Sequence, residues 1–338
     1  MNGAASRRAQ AGMTLVELMI AMVLGLVLVG GAIQVLLSTQ ESYRLQENMA
    51  RLQENARFAM EMVARDLRMA GYSHCGTIDN ISFHNNVADP DGDPDPAFDF
   101  GNAATIRDVA PQGALAGSDA LRLRHAQERS LRVQTVPGGG SANLKVGGNV
   151  LHLRQGDVVT VTDCREADTF RITNTPAETE DESDQVTLAH AANFNVSPHL
   201  QGSYAAGDRV VVIRNLTWFI AEDDDLHADG TPVPVLYRDA GDGPEAVVED
   251  VRAMRIRYGT DDDGDGSAER YLRAAAVTDW RRVVSVRVSL LLQTAENGLS
   301  PTAQSVVFDN AEVTSDDRRV LRAFTTTVSL RNHSGGVL

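Results

Sequence analysis

The sequence predicts an α+β fold, in which a long N-terminal helix packs on a mainly antiparallel β head. An apolar run of 25 residues, Met13 to Leu37, begins close to the N-terminus. Apolar residues at helical spacing then continue as far as residue 70. Beyond residue 71, short alternating stretches are separated by turn-forming clusters, which is typical of antiparallel strands. We therefore divide the chain into residues 1–12, 13–37, 38–70 and 71–338.

The apolar run at 13–37 predicts a helix that spans a membrane. At a rise of about 1.5 Å per residue, a helix of this length crosses a hydrocarbon core of roughly 30 Å. Arg7 and Arg8 precede the run, which keeps that end on the cytoplasmic side. A secretory leader has its small-residue cleavage site after a shorter apolar region. Here Gly12 lies before the run, so cleavage at Gly12 would leave the helix attached.

Glu17 is an unusual residue for such a helix. A carboxylate inside a spanning segment costs about 3 kcal/mol on insertion scales and usually has a partner. The apolar run contains no Lys or Arg. Cleavage after Gly12 would create an amine on Met13, and this amine, or that of a neighbouring copy, can neutralise Glu17. The alternative is an uncleaved signal anchor in which Glu17 lies near the membrane surface and stays hydrated.

Residues 38–70 predict an amphipathic continuation of the helix. The apolar stripe consists of Leu45, Met49, Leu52, Ala56, Ala59, Val63 and Leu67. Glu47 and Arg51 are spaced four residues apart in the order that stabilises a helix. Gly71 is the first glycine after Gly31 and predicts the C-terminal stop. We expect the stripe to pack under the chain's own β head rather than in a coiled coil with a partner.

The region after residue 71 predicts a set of short strands. They are Ala120–His125, Leu131–Val136, Val150–Arg154, Val158–Thr162, Phe170–Thr173, Arg209–Ile213, Val251–Tyr258, Val284–Leu290 and Leu321–Arg331. Residues 73–117 show little periodicity, and within them residues 89–96, rich in Asp and Pro, predict a solvated loop. Residues 228–243 are a candidate linker between two parts of the head.

Composition and motifs exclude several classes of protein. The formal net charge of the 338 residues is −15. Phosphate binding needs clusters of Lys and Arg, so we predict no specific nucleic-acid partner. The sequence lacks a nucleophile elbow, an HExxH motif, a Walker loop and a dinucleotide fingerprint. Its eight histidines show no ligand spacing. We therefore predict that the protein is not an enzyme and requires no cofactor.

Cys75 and Cys164 are the two cysteines of the chain. In an exported domain they fit a single disulfide. The bond would close a loop of about 90 residues and contribute roughly 4–5 kcal/mol in the chain-entropy model. The alternative is a pair of buried thiols. The CxxC spacing of a metal site is absent.

An acidic loop at residues 261–269 resembles part of a calcium-binding loop. The candidate ligands are Asp261, Asp263, Asp265 and Glu269, at positions 1, 3, 5 and 9. Gly266 stands at position 6, where the loop turns sharply. Position 12 is Leu272 and not a bidentate Glu, and strands rather than helices are predicted on both sides. Two interpretations stay open: a Ca²⁺ site of modest affinity, or an acidic β-turn exposed to solvent.

The N-terminal junction resembles a known class of proteins. The stretch Ala11-Gly12-Met13-Thr14-Leu15-Val16-Glu17-Leu18 is similar to the class III leader junction of type IV prepilins and type II secretion pseudopilins. The resemblance implies that a membrane-embedded prepilin peptidase cuts after Gly12 and methylates the new N-terminus at Met13. It also implies that Glu17 guides assembly into a filament. Residues 1–12 are then a leader peptide. Met13 departs from the family, which usually has Phe there.

Two further stretches resemble minor pilins of the type IV pilus. Residues 57–75, which end in Gly71-Tyr72 and Cys75, are similar to the signature region of the PilW type. Residues 324–332 resemble the last strand of J- and W-type pilin-like proteins. The resemblance implies a minor pilin that starts in the inner membrane with its head in the periplasm. Together with other minor pilins and the major pilin, it would help initiate assembly and lie at or near the pilus tip on the cell surface.

Two other functions fit the same sequence. One is that of a J-type pseudopilin of a type II secretion system, which has the same helix and a related head. The other is that of a tip adhesin, whose head binds a surface ligand.

Overall fold

A computed structural model describes residues 14–75, 81–95, 98, 106–107, 110–135, 142–241 and 243–332. Within these ranges the chain forms one α-helix and sixteen β-strands. The strands belong to a ten-stranded sheet, a four-stranded sheet and a two-stranded hairpin. The predicted α+β class is confirmed: a long apolar N-terminal helix packs on a mostly antiparallel β region.

The helix, α1, spans Leu15–Met69. The hydroxyl of Thr14 accepts a hydrogen bond from the backbone N–H of Glu17 at 3.2 Å. A Thr followed three residues later by Glu is a common way to begin a helix. At the other end, Gly71 has a φ of +76°, which glycine adopts without steric cost. The predicted stop is therefore where the helix ends. The chain divides into two compact units at residue 51, within α1.

The larger sheet is built from the first ten strands. These are β1 (Ser82–Asn85), β2 (Ile106–Arg107), β3 (Leu121–Thr135), β4 (Asn143–Gly147), β5 (Val158–Thr162), β6 (Glu166–Arg171), β7 (Gln185–Ala189), β8 (Arg209–Leu226), β9 (Pro232–Asp239) and β10 (Pro244–Glu249). The main order is β1-β6-β5-β8-β3-β4-β7, with β2 on β3, β9 on β8 and β10 on β9. Among these described strands, β1 and β6 form the one parallel pair.

The smaller sheet follows in the C-terminal part of the chain. The remaining strands are β11 (Val251–Thr260), β12 (Arg270–Leu272), β13 (Val283–Gln293), β14 (Ser305–Phe308), β15 (Ala311–Thr314) and β16 (Leu321–Ser329). The order in the smaller sheet is β12-β11-β13-β16, and β14 pairs with β15 as a separate hairpin.

Two hydrophobic cores share the long strands β3 and β8, and a register shift in β3 between Ala126 and Ser130 separates them. The first, which we call the helix-packed core, includes Leu52, Val63, Leu67, Leu121, Trp218, Leu236, Met254, Ile256, Val288 and Leu290. The second, which we call the β-only core, includes Leu131, Val133, Leu144, Val161, Phe170, Leu188 and Val210. One half of each strand thus packs in the helix-packed core, and the other half packs in the β-only core.

The part of α1 after residue 51 is held by its apolar stripe. Ala56 and Ala59 are fully buried, and such small side chains let the backbone of a helix approach a sheet closely. Leu52, Val63 and Leu67 are also buried, and each contributes about 1.5–3 kcal/mol relative to exposure. The predicted stripe is therefore buried from residue 52 onward.

One predicted strand is wrong. Residues 150–154 form turns and irregular structure because the side chain of Asn149 hydrogen-bonds the backbone of this segment. Its Oδ1 accepts from the N–H of Leu153 at 2.8 Å, and its Nδ2 donates to the carbonyl of Leu153 at 3.1 Å. An Asn side chain that bonds nearby backbone competes with pairing in a sheet.

The expected linker at residues 228–243 is also wrong. It contains β9, which pairs with β8 on one side and β10 on the other. Three further strand predictions were too short. Residues 121–125 and 131–135, predicted as two strands, belong to the single strand β3, and Arg209–Ile213 is only the beginning of the 18-residue β8.

Candidate functional site

The N-terminal site predicted from the sequence is described from Thr14 onward, and Gly12 and Met13 lie outside the described residues. Glu17 is exposed in the first turn of α1. The large apolar side chains between Leu15 and Leu37 are 52–76% exposed. Among the described residues, α1 is the one helix long and apolar enough to cross a membrane. Apolar surface on this scale marks a segment that lies in lipid or against other chains.

The last turns of α1 carry a carboxylate that attaches the helix to the larger sheet. The side chain of Asp66 is 13% exposed. Its Oδ2 accepts a hydrogen bond from Trp218 Nε1 at 3.0 Å and another from Arg238 Nε at 2.9 Å. Trp218 lies on β8 and Arg238 on β9. Bonds to a charged group are stronger than neutral ones, so Asp66 fixes the helix against these two strands.

The C-terminus of α1 is also closed by a residue from the far end of the chain. The side-chain Nδ2 of Asn332 donates to the carbonyls of Arg68 at 3.2 Å and Ala70 at 3.4 Å. Carbonyls at a helix end have no partner within the helix. A Cβ on Gly71 would lie 2.9 Å from the carbonyl oxygen of Asn332. Glycine at position 71 therefore allows both the positive φ of the turn and the close approach of Asn332.

The predicted disulfide between Cys75 and Cys164 is confirmed in the structure. It joins the segment that follows α1 to the turn between β5 and β6. This turn is held by Thr162, whose hydroxyl accepts from the N–H of Cys164 at 3.0 Å and donates to the carbonyl of Glu166 at 2.9 Å. The bond thus connects the end of the helix to strands of the β-only core.

The acidic loop connects β11 to β12, so strands flank it as predicted. One carboxylate oxygen from each of Asp261, Asp263, Asp265 and Glu269 lies within 4.8 Å of the others. Ca²⁺ prefers such oxygen ligands, taking six to eight of them. Leu272, at position 12, lies in β12 and supplies none.

The same carboxylates also close the loop by themselves. Both oxygens of Asp261 accept backbone N–H groups, from Gly264 and Gly266. The bond from Gly266 is the main reason that the pKa of Asp261 lies below its usual value. Glu269 accepts from the N–H of Asp262 at 2.6 Å. Such bonds suit an acidic turn as well as a metal loop, so the calcium site stays a prediction.

The contacts of Asp66 and Asn332 were not predicted as functional. Trp218 and Arg238 are 152 and 172 residues from Asp66 along the chain, and no local pattern reports a contact over that distance. One signal was present, since Asp66 directly precedes Leu67 of the apolar stripe. An acidic residue at the edge of a buried face needs a partner.

Two families of known proteins match parts of the chain. Type IV Pilus-assembly protein W, the PilW family, matches residues 218–332. The prokaryotic N-terminal methylation motif matches residues 7–33. These two matches support a PilW-type prepilin-like protein. No curated protein and no solved structure matches it.

The PilW match contains the residues that hydrogen-bond the last turns of α1. It begins at Trp218 and ends at Asn332, the residues that bond Asp66 and the helix end. The methylation motif includes Glu17 and the first turns of α1. Together the two matches support a type IV pilus-related minor pilin. Its leader implies processing by a prepilin peptidase and interaction with other pilus components. Pilin-family domains are structural rather than enzymatic.

Proposed function

We propose that this minor pilin helps to initiate pilus assembly together with other minor pilins and the major pilin, and that it lies at or near the pilus tip. The observation that supports the proposal most is Glu17 in the first turn of a largely exposed apolar helix, inside a methylation motif. A carboxylate in that position is costly in lipid unless it has a cationic partner.

Cleavage after Gly12 supplies such a partner. It frees the amine of Met13, two residues before the helix begins at Leu15. In a bundle of such helices, the amine of one subunit can neutralise Glu17 of its neighbour. The neutralised pair makes the packed state more favourable than the single helix in lipid. Assembly would therefore begin in the inner membrane, with the heads in the periplasm, and continue to the cell surface.

The PilW match favours a pilus over a type II secretion system. It covers β9 to β16, which include the whole smaller sheet. A secretion defect with normal piliation in a strain without the protein would instead support the J-type pseudopilin.

The test is complementation of a deletion strain with wild type, Gly12→Val and Glu17→Ala. We expect wild type to begin at Met13 with one methyl group, and Gly12→Val to keep its leader. Glu17→Ala should be cut, because cleavage requires the glycine, yet should not restore pili. Glu41→Ala, a second exposed glutamate beyond the apolar run, is the matched control and should restore them.

Intact mass and electron microscopy of pili give the readouts. Normal piliation by Glu17→Ala would remove Glu17 from the mechanism. Normal piliation and secretion without the protein would contradict the proposed role in initiation. Immunogold labelling along the whole filament, instead of at one end, would contradict the tip position.

A further inference from the structure

The outer strand β16 presents a long regular edge. It pairs with β13 through nine consecutive residue pairs, from Ser285 with Ser329 to Gln293 with Leu321, and this register has no bulge. Within the described residues, no strand pairs with its other edge. An open edge of this kind is a template for a further strand, because its N–H and C=O groups are unpaired.

The other outer strands of the described sheets are short or interrupted. β1 has four residues, β12 three and β7 five. β10 begins with Pro244 and has a register shift between Ala246 and Val248. These are the usual protections of an edge. β16 has nine residues, without Pro, Gly, Lys or a bulge, and Arg322 is its one charged residue.

The pairing with β13 identifies the groups at the open edge. The N–H of Leu330 donates to the carbonyl of Val284, and the carbonyl of Val320 accepts from the N–H of Thr294. Hydrogen-bonded positions alternate in an antiparallel pair. The even-numbered residues of β16 therefore bond β13, whereas Thr325, Thr327 and their odd-numbered neighbours turn their backbone groups outward.

The two faces of the edge differ in chemistry. Thr325, Thr327 and Ser329 are exposed on one face. On the other face, Phe324 packs against the helix-packed core, and Val328 belongs to it. A strand added here would carry polar side chains on the first face and apolar ones on the second, as the period of two requires.

Charge next to the edge favours an acidic occupant. Arg287 donates through Nε to the hydroxyl of Thr327 at 3.3 Å, and its guanidinium carbon lies 3.8 Å from the centroid of the Tyr271 ring. Among the described residues, no carboxylate forms an ion pair with Arg287 or Arg322. The whole chain carries −15, which opposes association with a second copy. The local cations instead attract Asp or Glu from a different chain.

We propose that β16 accepts an extended segment of another pilus subunit as an added strand. The segment alternates polar and apolar residues and carries at least one Asp or Glu that reaches Arg287. Backbone hydrogen bonds to Thr325 and Thr327 hold it, and the carboxylate gives selectivity. The proposal rests on the proposed function, since it names a contact by which this minor pilin joins its neighbours.

The experiment uses the full-length protein in detergent, alone and after co-expression with the other minor pilins of the same bacterium. Amide hydrogen exchange of wild type is measured at single residues of β16. In the protein alone, the amides of Thr325 and Thr327 should exchange fast, and those of Phe324 and Thr326 slowly. In the assembled complex, exchange at Thr325 and Thr327 should be slowed about tenfold or more, because new hydrogen bonds protect them.

Two variants at one position separate backbone from side-chain recognition. Thr327→Pro removes the outward N–H and leaves the pairing with β13 intact, because proline is tolerated where the N–H faces away from the sheet. Thr327→Ala keeps the N–H and removes only the hydroxyl. We expect Thr327→Pro to lose co-purification with the minor pilins and piliation, and Thr327→Ala to retain both.

The outcomes distinguish this proposal from the proposed function. Wild type that assembles with the other minor pilins while Thr325 and Thr327 stay unprotected overturns the added strand and leaves the function standing. Equal behaviour of the Pro and Ala variants also overturns it. If wild type does not assemble with the other minor pilins, the added strand and the proposed function are both contradicted. The exchange measurement uses wild type alone, so it decides the question even if Thr327→Pro does not fold.

Discussion

The helix-packed core and the β-only core are built on the same two strands but belong to different parts of the sequence. The PilW match at residues 218–332 includes most of the strands that form the helix-packed core. It includes none of β4 to β7, which complete the β-only core. The comparison teaches that a second core can form beside the one that packs on the helix when β3 and β8 continue past the register shift in β3.

The two cores also use buried carboxylates differently. In the helix-packed core, Asp66 pairs with a cation 172 residues away. In the β-only core, Asp168 is fully buried and accepts from the N–H groups of Gln201 and Gly202 and from the hydroxyl of Tyr204 at 2.7 Å. Burial and this carboxylate raise the pKa of Tyr204. The carboxylate of one core is thus held by a cation 172 residues away, and that of the other by neutral donors 33 to 36 residues away.

The disulfide connects the two cores, and its removal should have the largest effect. Cys164→Ser should lower the free energy of unfolding by about 4 kcal/mol, because the bond closes a loop of 89 residues in the unfolded chain. Urea unfolding of the non-reduced protein measures the loss. Cys75→Ser and the double variant are the controls and should lose the same amount. If the double variant loses more unfolding free energy than Cys164→Ser, the two cysteines contribute separately and not through one disulfide.

Asp66→Ala should weaken the helix-packed core selectively. Removing the carboxylate leaves Arg238 and Trp218 without their acceptor, at a cost of about 3 kcal/mol, since Arg238 keeps some access to solvent. Amide exchange should accelerate more in β11 and β13 than in β5 and β6. Arg65→Ala, at the exposed neighbouring position, is the control and should change neither. Equal acceleration in both cores would mean that they unfold as one unit.

Calcium, if bound, should stabilise the end of β11 in the helix-packed core. A site occupied at a hundred times its dissociation constant adds about 2.7 kcal/mol. The melting temperature of wild type should rise with Ca²⁺ relative to chelator, and that of Asp263→Ala should not. Asp93→Ala, in the acidic loop at 89–96, is the control and should respond like wild type. Equal melting temperatures in all samples would leave only an acidic turn.

Mild acid should weaken the β-only core by the smallest amount. His190 is 1% exposed and its ring centroid lies 4.9 Å from that of Phe170. Burial lowers the pKa of His190 below its usual 6.5. The unfolded chain therefore takes up a proton first as pH falls, and stability declines below about pH 6.5 by at most about 1.4 kcal/mol per unit.

Urea unfolding at about pH 7 and about pH 5 measures this decline. His190→Phe should flatten it, because the group that titrates is gone. The exposed His152→Phe is the control and should keep the wild-type dependence. An unchanged decline in His190→Phe would assign the effect to other groups.

The sequence by itself determined the features that depend on neighbouring residues. The period of α1, its start after Thr14, its stop at Gly71 and the acidic loop between two strands all follow from local patterns. With two cysteines in the chain, the pairing of Cys75 with Cys164 was also within reach. The processing site at Gly12 and Met13, inferred from the order of a small residue and an apolar run, stays a prediction.

Only the tertiary structure decided which strands meet and where the buried charges find partners. The union of two short predicted strands into β3, the strand within residues 228–243 and the bonds of Asp66 all depend on residues far apart in the chain. Asn149 turned residues 150–154 away from a sheet that their alternation alone predicts. Alternation reports which face of a segment is buried, but pairing depends on the neighbour that the rest of the fold brings to it.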